Sequence, residues 1–321
     1  MTVQSGGKLT GPVAFASAGA HLSLTDVATA VATTGNGGVV TLTNSKANLS
    51  GGSETVNFAG GAGNVVTLVN TAGLWDNVNG SNGTVVLNGA ETNIVGGGDV
   101  LNASAGSKLS LYQTNGAWDT INRSSLQVNL TAAEASFVGG GDTIHGVAHS
   151  SASLFGTNSS WDSFYGSDDQ VILTSAQATI LGGYNTISAT AGSTISLTNT
   201  AGHADVVTGS DDALILTNTQ VFLTGSANTI SFAGQNALTL NGQYEALTFG
   251  AQLGLTSITG FNLSDVIHLC AADWTSFAAL QSSGNLKQSG ASTLITLDAA
   301  DTVTLVNVTA STLTKAQFAF A

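Results

Sequence analysis

Apolar residues alternate with Ser, Thr and Asn along most of this chain. In "QVNL", Val128 and Leu130 fall on one face and Asn129 on the other, a period of two that predicts strands. Gly, Asn, Asp and Ser interrupt the alternation every ~8–12 residues, as turns between short strands do. Helical periodicity is scarce. The candidates are "SLTDVATAVAT", with Thr25 or Asp26 as cap, and "WTSFAALQSSG", with Asp273 before it. In the second, Trp274, Phe277 and Leu280 are spaced for one packed face.

The alternation itself repeats. Asp76, Asp119, Asp162 and Asp205 are separated by 43 residues, and so are Asp99, Asp142, Asn185 and Asn228. The apolar positions Leu68, Leu111, Leu154, Leu197 and Leu240 keep the same interval. Each copy holds about five short strands. Short strands in an exact repeat predict an all-β fold, a right-handed parallel β-solenoid of the β-helix or β-roll kind. Two coils of ~21 residues per copy are expected, each adding ~4.8 Å along the axis. An antiparallel sandwich or a propeller, whose blades have a period of ~40–45 residues, is the alternative. The pattern divides the chain into an N-terminal cap (1–18), the repeat array (19–250) and a β-rich C-terminal region (251–321).

Composition narrows the partners. The 321 residues include 40 Gly and a single Pro, and only 8% are charged, yet the net charge is −13. With 42% hydrophobic residues the chain can bury a large core. Register explains the bias: a corner that recurs in each coil recurs with its Gly, Asn or Asp. A strand paired on both sides has no place for Pro, and stacked like charges repel. The six basic residues, Lys8, Lys46, Lys108, Arg123, Lys287 and Lys315, form no cluster. That argues against nucleic acid and against an anionic membrane surface. No apolar run reaches the ~18 residues of a membrane helix. The N-terminus lacks the basic start and apolar stretch of a cleaved signal. Cys270 is alone, which excludes an internal disulfide, and is expected to be a small buried residue.

After "LNGQYEALTFG" the repeat fades. The run "SITGFNLSDVIHL", followed by "SGASTLITLDAADTVTLVNVTASTLTKAQFAF", resembles the C-terminus of type I secreted bacterial proteins of the RTX class. The resemblance covers roughly residues 255–321 and includes no catalytic residue. It implies export without a cleaved N-terminal signal, and calcium-assisted folding outside the cell. That family's nonapeptide is G-G-x-G-x-D-x-U-x, with U a large apolar residue. "GGGDVLNA" and "GGGDTIHG" are degenerate forms of it, ending on Asp99 and Asp142, and later copies carry Asn185 and Asn228 instead. A hard cation wants six to eight oxygens. The paired aspartates Asp168–Asp169 and Asp211–Asp212 of "GSDD" are therefore the better calcium candidates, with Asp99 and Asp142 beside them. The other reading of each is a turn-forming residue.

Trp75, Trp118 and Trp161 recur at the same interval, each followed by Asp. Stacked every second coil, ~10 Å apart, they form a candidate platform for sugar rings, with Asp76, Asp119 and Asp162 accepting hydroxyl hydrogen bonds. Aromatic packing that seals a corner is the other reading. Tyr112 and Phe155 occupy equivalent positions of neighbouring copies. His145, His149 and His203 do not recur, and no G-x-S-x-G, H-E-x-x-H or P-loop appears. The expectation is a secreted, non-enzymatic structural protein of the cell surface or matrix: a surface-layer, fibre or adhesin-like subunit that associates with itself, end to end or laterally. Val86, Ile172 and Ile215 are candidates for a lateral contact stripe. A carbohydrate-binding module, or a polysaccharide lyase or epimerase, is the alternative, with extracellular polysaccharide as partner.

Overall fold

A computed structural model describes residues 1–4, 9, 11–60, 62–69, 73–122, 124–157, 160–198, 202–250, 252–270 and 274–320. Lys8, Arg123 and Asp273 lie outside them. The chain is a nearly all-β parallel solenoid, in two compact units, Met1–Ser163 and Phe164–Ala321.

In the first unit each coil contributes one strand to each of two sheets. His21–Thr25, Val39–Thr43, Thr55–Phe58 and Asp76–Asn79 follow one another in parallel on the first sheet. Val31–Thr34, Lys46–Ser50, Val65–Val69 and Thr84–Asn88 do so on the second. Alternation does the sorting. Leu22 and Leu24, Val40 and Leu42, Val66 and Leu68, and Val85 and Leu87 are all fully buried. Ser23, Thr41, Thr67 and Val86 between them point outward. Coiling starts before the repeat does, because Thr2–Val3 and Val13–Ala14 already pair in parallel with the first full coil.

The number of coils per copy departs from expectation. Between Asp76 and Asp119 the chain passes through five strands: Asp76–Asn79, Thr84–Asn88, Glu91–Val95, Val100–Ala103 and Lys108–Tyr112. With two strands per coil, five strands make two and a half coils, not two, of about 17 residues each. An odd strand count sends successive copies to opposite sheets. Thr84–Asn88 lies on the second sheet, and its repeat equivalent Gln127–Thr131 on the first. Each copy is thus related to the next by a half turn plus a rise of about 12 Å.

The second unit follows the same plan. Gln170–Thr174, Thr186–Ala189, Asp205–Thr208, Gln220–Thr224, Ala237–Asn241 and Leu255–Thr259 build one sheet. Gln177–Leu181, Thr194–Thr198, Ala213–Thr217, Thr229–Ala233, Ala246–Phe249 and Val266–Leu269 build the other. The parallel ladder runs past residue 250 and ends out of sequence order. Thr302–Val306 pairs with Leu255–Thr259, and Phe318–Phe320 with Val266–Leu269. Ser292–Thr296 and Leu286–Ser289 then extend the first of these sheets antiparallel.

Among the described residues the one α-helix is Phe277–Ser282. Its cap is Ser276, whose Oγ accepts from Ala279 N at 3.2 Å. Leu280 is buried, and Phe277 packs on Phe318 with ring centroids 5.0 Å apart. The other helix candidate is overturned: "SLTDVATAVAT" spans strands His21–Thr25 and Val31–Thr34. Asp26, the expected cap, instead turns the corner at φ 54°. Cys270 is exposed rather than buried. Ile267 and Leu269 point inward, so the next residue points out.

Candidate functional site: the stacked acidic corners

Each strand starts at a corner, and the corners carry the acidic residues. Asn82, Ser125, Asp168 and Asp211 occupy the same position of the 43-residue repeat and all adopt the left-handed conformation, with φ of 60°, 64°, 63° and 58°. Asn and Asp tolerate that region. The following residue turns inward: Asp169 and Asp212 are each only 3% exposed, whereas Asp168 and Asp211 are exposed.

A second corner position belongs to Asp99, Asp142, Asn185 and Asn228, all buried. Each accepts the backbone N–H of the residue one coil earlier. Asp99 accepts from Gly83 at 2.7 Å and Asp142 from Leu126 at 2.8 Å. Asn185 accepts from Asp169 at 3.1 Å and Asn228 from Asp212 at 3.0 Å. Their own N–H groups pass the pattern on. Asp99 N donates to Asp119, Asp142 N to Asp162 and Asn185 N to Asp205, at 2.9, 2.9 and 2.8 Å. Buried backbone N–H groups need partners; at these corners, where the strand ladder is interrupted, side-chain oxygens supply them.

The glycines of "VGGGDTIHG" have distinct roles. The first, at Gly96, Gly139, Gly182 and Gly225, has φ between 125° and 140°. A Cβ on Gly182 would sit against the Gly166 carbonyl oxygen, so only Gly fits. The third position is left-handed but takes side chains: Gly98 and Gly141 give way to Tyr184 and Ala227 at φ 64° and 62°.

Burial sets the electrostatics. It pushes Asp99 up to about 6, Asp119 and Asp162 to about 7, and Asp205 to about 6, against the lowering effect of the N–H donors. Asp76, one coil from Glu54, is raised to about 8, first by burial and then by its carboxyl–carboxyl hydrogen bond with Glu54. The like charge of a neighbouring acid adds to this at Asp119 and Asp162.

Asp168 and Asp169 point to opposite sides of the coil wall, and so do Asp211 and Asp212, so neither pair converges on one ion. Asp99 and Asp142 are met by N–H donors, which complement an acceptor rather than a cation. Among the described residues no three His, Cys, Asp or Glu side chains gather as a metal site.

The sugar platform fails for a geometric reason. Two and a half coils per copy put Trp75 on the first-sheet edge and Trp118 on the second. Trp161 returns to the first-sheet edge five coils on, about 24 Å from Trp75. Asp76, Asp119 and Asp162 are at most 1% exposed and face backbone N–H groups, Glu54 N at 3.0 Å in the case of Asp76. Ile172 and Ile215 lie on different sheets of the second unit, so they form no common stripe. His203 stacks on Tyr184, centroids 4.2 Å apart.

Several corner residues escaped the repeat reading. Glu54, Glu245 and Asp265 hold the same kind of place: Glu245 accepts from Asn228 N at 2.9 Å and Asp265 from Glu245 N at 3.0 Å. They stand outside the 43-residue register, so only strand pairing reveals them. No family model matches this chain, and no curated protein or solved structure matches it.

Proposed function

We propose that this chain is a secreted, non-enzymatic structural β-solenoid that associates laterally with copies of itself at the cell surface or in the matrix. The observation that carries the reading is a repeated apolar pair on both outer faces of the first unit. Val95 and Tyr112 are cross-strand neighbours on the first sheet, and Val138 and Phe155 are their repeat equivalents on the second. Val95, Val138 and Phe155 are 37%, 47% and 36% exposed. A molecule with like patches on opposite faces can bind two neighbours, which extends an assembly instead of closing a dimer.

The surroundings favour association too. Amide side chains on these faces bond along the stack, Asn77 with Asn93 and Asn102 with Asn122, both at 3.1 Å. Such faces are ordered and largely uncharged. The antiparallel strands Ser292–Thr296 and Leu286–Ser289 cover one sheet end of the second unit, which favours lateral over end-to-end contact. Export by a one-step channel rests on the RTX-class resemblance.

Sedimentation velocity over a concentration series tests the reading. Wild type is expected to form species that grow with concentration. Val138→Lys/Phe155→Lys should stop at dimers, and adding Val95→Lys/Tyr112→Lys should leave monomers. Wild type that remains monomeric at high concentration, with and without calcium, would sink the proposal.

A further inference from the structure

The acidic corner at Asp99 has a counterpart whose chemistry is visible. Asn185, two copies later, accepts a backbone N–H through Oδ1 and donates Nδ2–H to the Gly166 carbonyl at 3.1 Å. Asn228 does the same toward Gly209 O at 3.2 Å. Asp99 accepts the equivalent N–H, from Gly83, through Oδ1. Its Oδ2 is buried with no hydrogen-bond partner. The repeat register sets that oxygen toward the Gly80 carbonyl, the equivalent of Gly166 O. An ionised Asp99 would place acceptor against acceptor there, which a buried site does not tolerate.

We propose that Asp99 is a proton-binding site: it is held as the neutral acid, its O–H donating to the corner carbonyl as the Asn185 amide does, with Asp119 one coil away accepting the Asp99 N–H. Asp142 and Asp162 repeat the pair. The group acting on Asp99 is the Gly83 N–H, and those acting on Asp119 are the N–H groups of Asp99 and Gly98 and the Asp99 carboxyl; no Lys, Arg or His is among them. Gly83 on the preceding coil and Ala135 on the following one carry no charge. Burial raises both carboxyls in the direction this requires.

Charge ladders in capillary electrophoresis read the proton directly. At pH 5.5, where an ordinary carboxylate is ionised, Asp99→Asn should migrate as wild type. At pH 8.5 it should carry one negative charge fewer. Asn at position 99 reproduces the side chain that the second unit already uses, so the variant folds. A full one-charge difference for Asp99→Asn at pH 5.5 would overturn the proposal. So would a calcium-dependent mobility shift in wild type that Asp99→Asn abolishes, because the site would then hold a cation.

Discussion

Side chains at the corners of this solenoid act on the backbone more than on solvent. Gly182 and Gly141 show how unequal similar-looking residues are. Gly182→Ala forces a Cβ onto the Gly166 carbonyl at φ 140°, and a loss of about 3 kcal/mol or more is expected by denaturant unfolding. Gly141→Asn should stay within about 1 kcal/mol, because Tyr184 and Ala227 occupy the same left-handed position. Asn185→Asp replaces a satisfied amide with a carboxylate facing the Gly166 carbonyl. It should cost about 1–3 kcal/mol at pH 8.5 and recover most of that at pH 5.5, when the acid can donate.

The buried acids also set a pH dependence with a definite sign. Their folded-state values lie above the ordinary carboxylate range, at about 6 to 8 for Asp76, Asp99, Asp119, Asp162 and Asp205. The folded state therefore binds more protons than the unfolded state between about pH 4 and 8. Stability is greatest below that window and falls as pH rises through it. Thermal melts should give a Tm higher by about 5–10 °C at pH 5.5 than at pH 8.5. Asp119→Asn with Asp162→Asn should flatten the slope.

Strands and copies are the next scale, and here the odd strand count dominates. A copy starts and ends on one sheet and the next copy starts on the other, so the repeat must suit both sheets and its inward positions are interchangeable. Leu68 and Leu154 lie on the second sheet, Leu111 lies on the first, and all three are fully buried. Removing residues 85–127 joins Thr84 to Val128 and deletes one copy without breaking the pattern. The shortened first unit should keep its strand circular dichroism and a single cooperative melt. A deletion of about 21 residues, the size of one coil had each copy held two, breaks the corner register and should abolish that cooperativity. Within one strand, Leu111→Ala leaves a cavity and should cost about 2–5 kcal/mol.

For the whole molecule, stability and solubility pull against each other. A formal net charge of −13 on only 25 acidic and basic residues counts each buried acid as ionised. Protons kept at Asp119 and Asp162, both raised to about 7, lower the true charge near neutrality and weaken self-repulsion. Lateral assembly through uncharged faces should then strengthen as pH falls from 8 toward 5.5. Sedimentation across that range measures it.

What the chain's letters determined alone is the β-solenoid class, the strand positions and the inward residues. Period-two alternation and the 43-residue interval are local, additive signals, and each follows from one strand's burial. Tertiary structure alone decided the coil count per copy, and with it which residues share a face. Trp75 and Trp118 repeat perfectly in sequence yet stand on opposite edges, because five strands cannot be divided into whole two-strand coils. The same holds for the acids. "GSDD" and "GGGD" read as oxygen-rich turns, but whether a carboxylate meets a cation, a proton or an N–H depends on the coils above and below. Those neighbours lie 16 to 22 residues away along the chain, beyond the reach of any local motif.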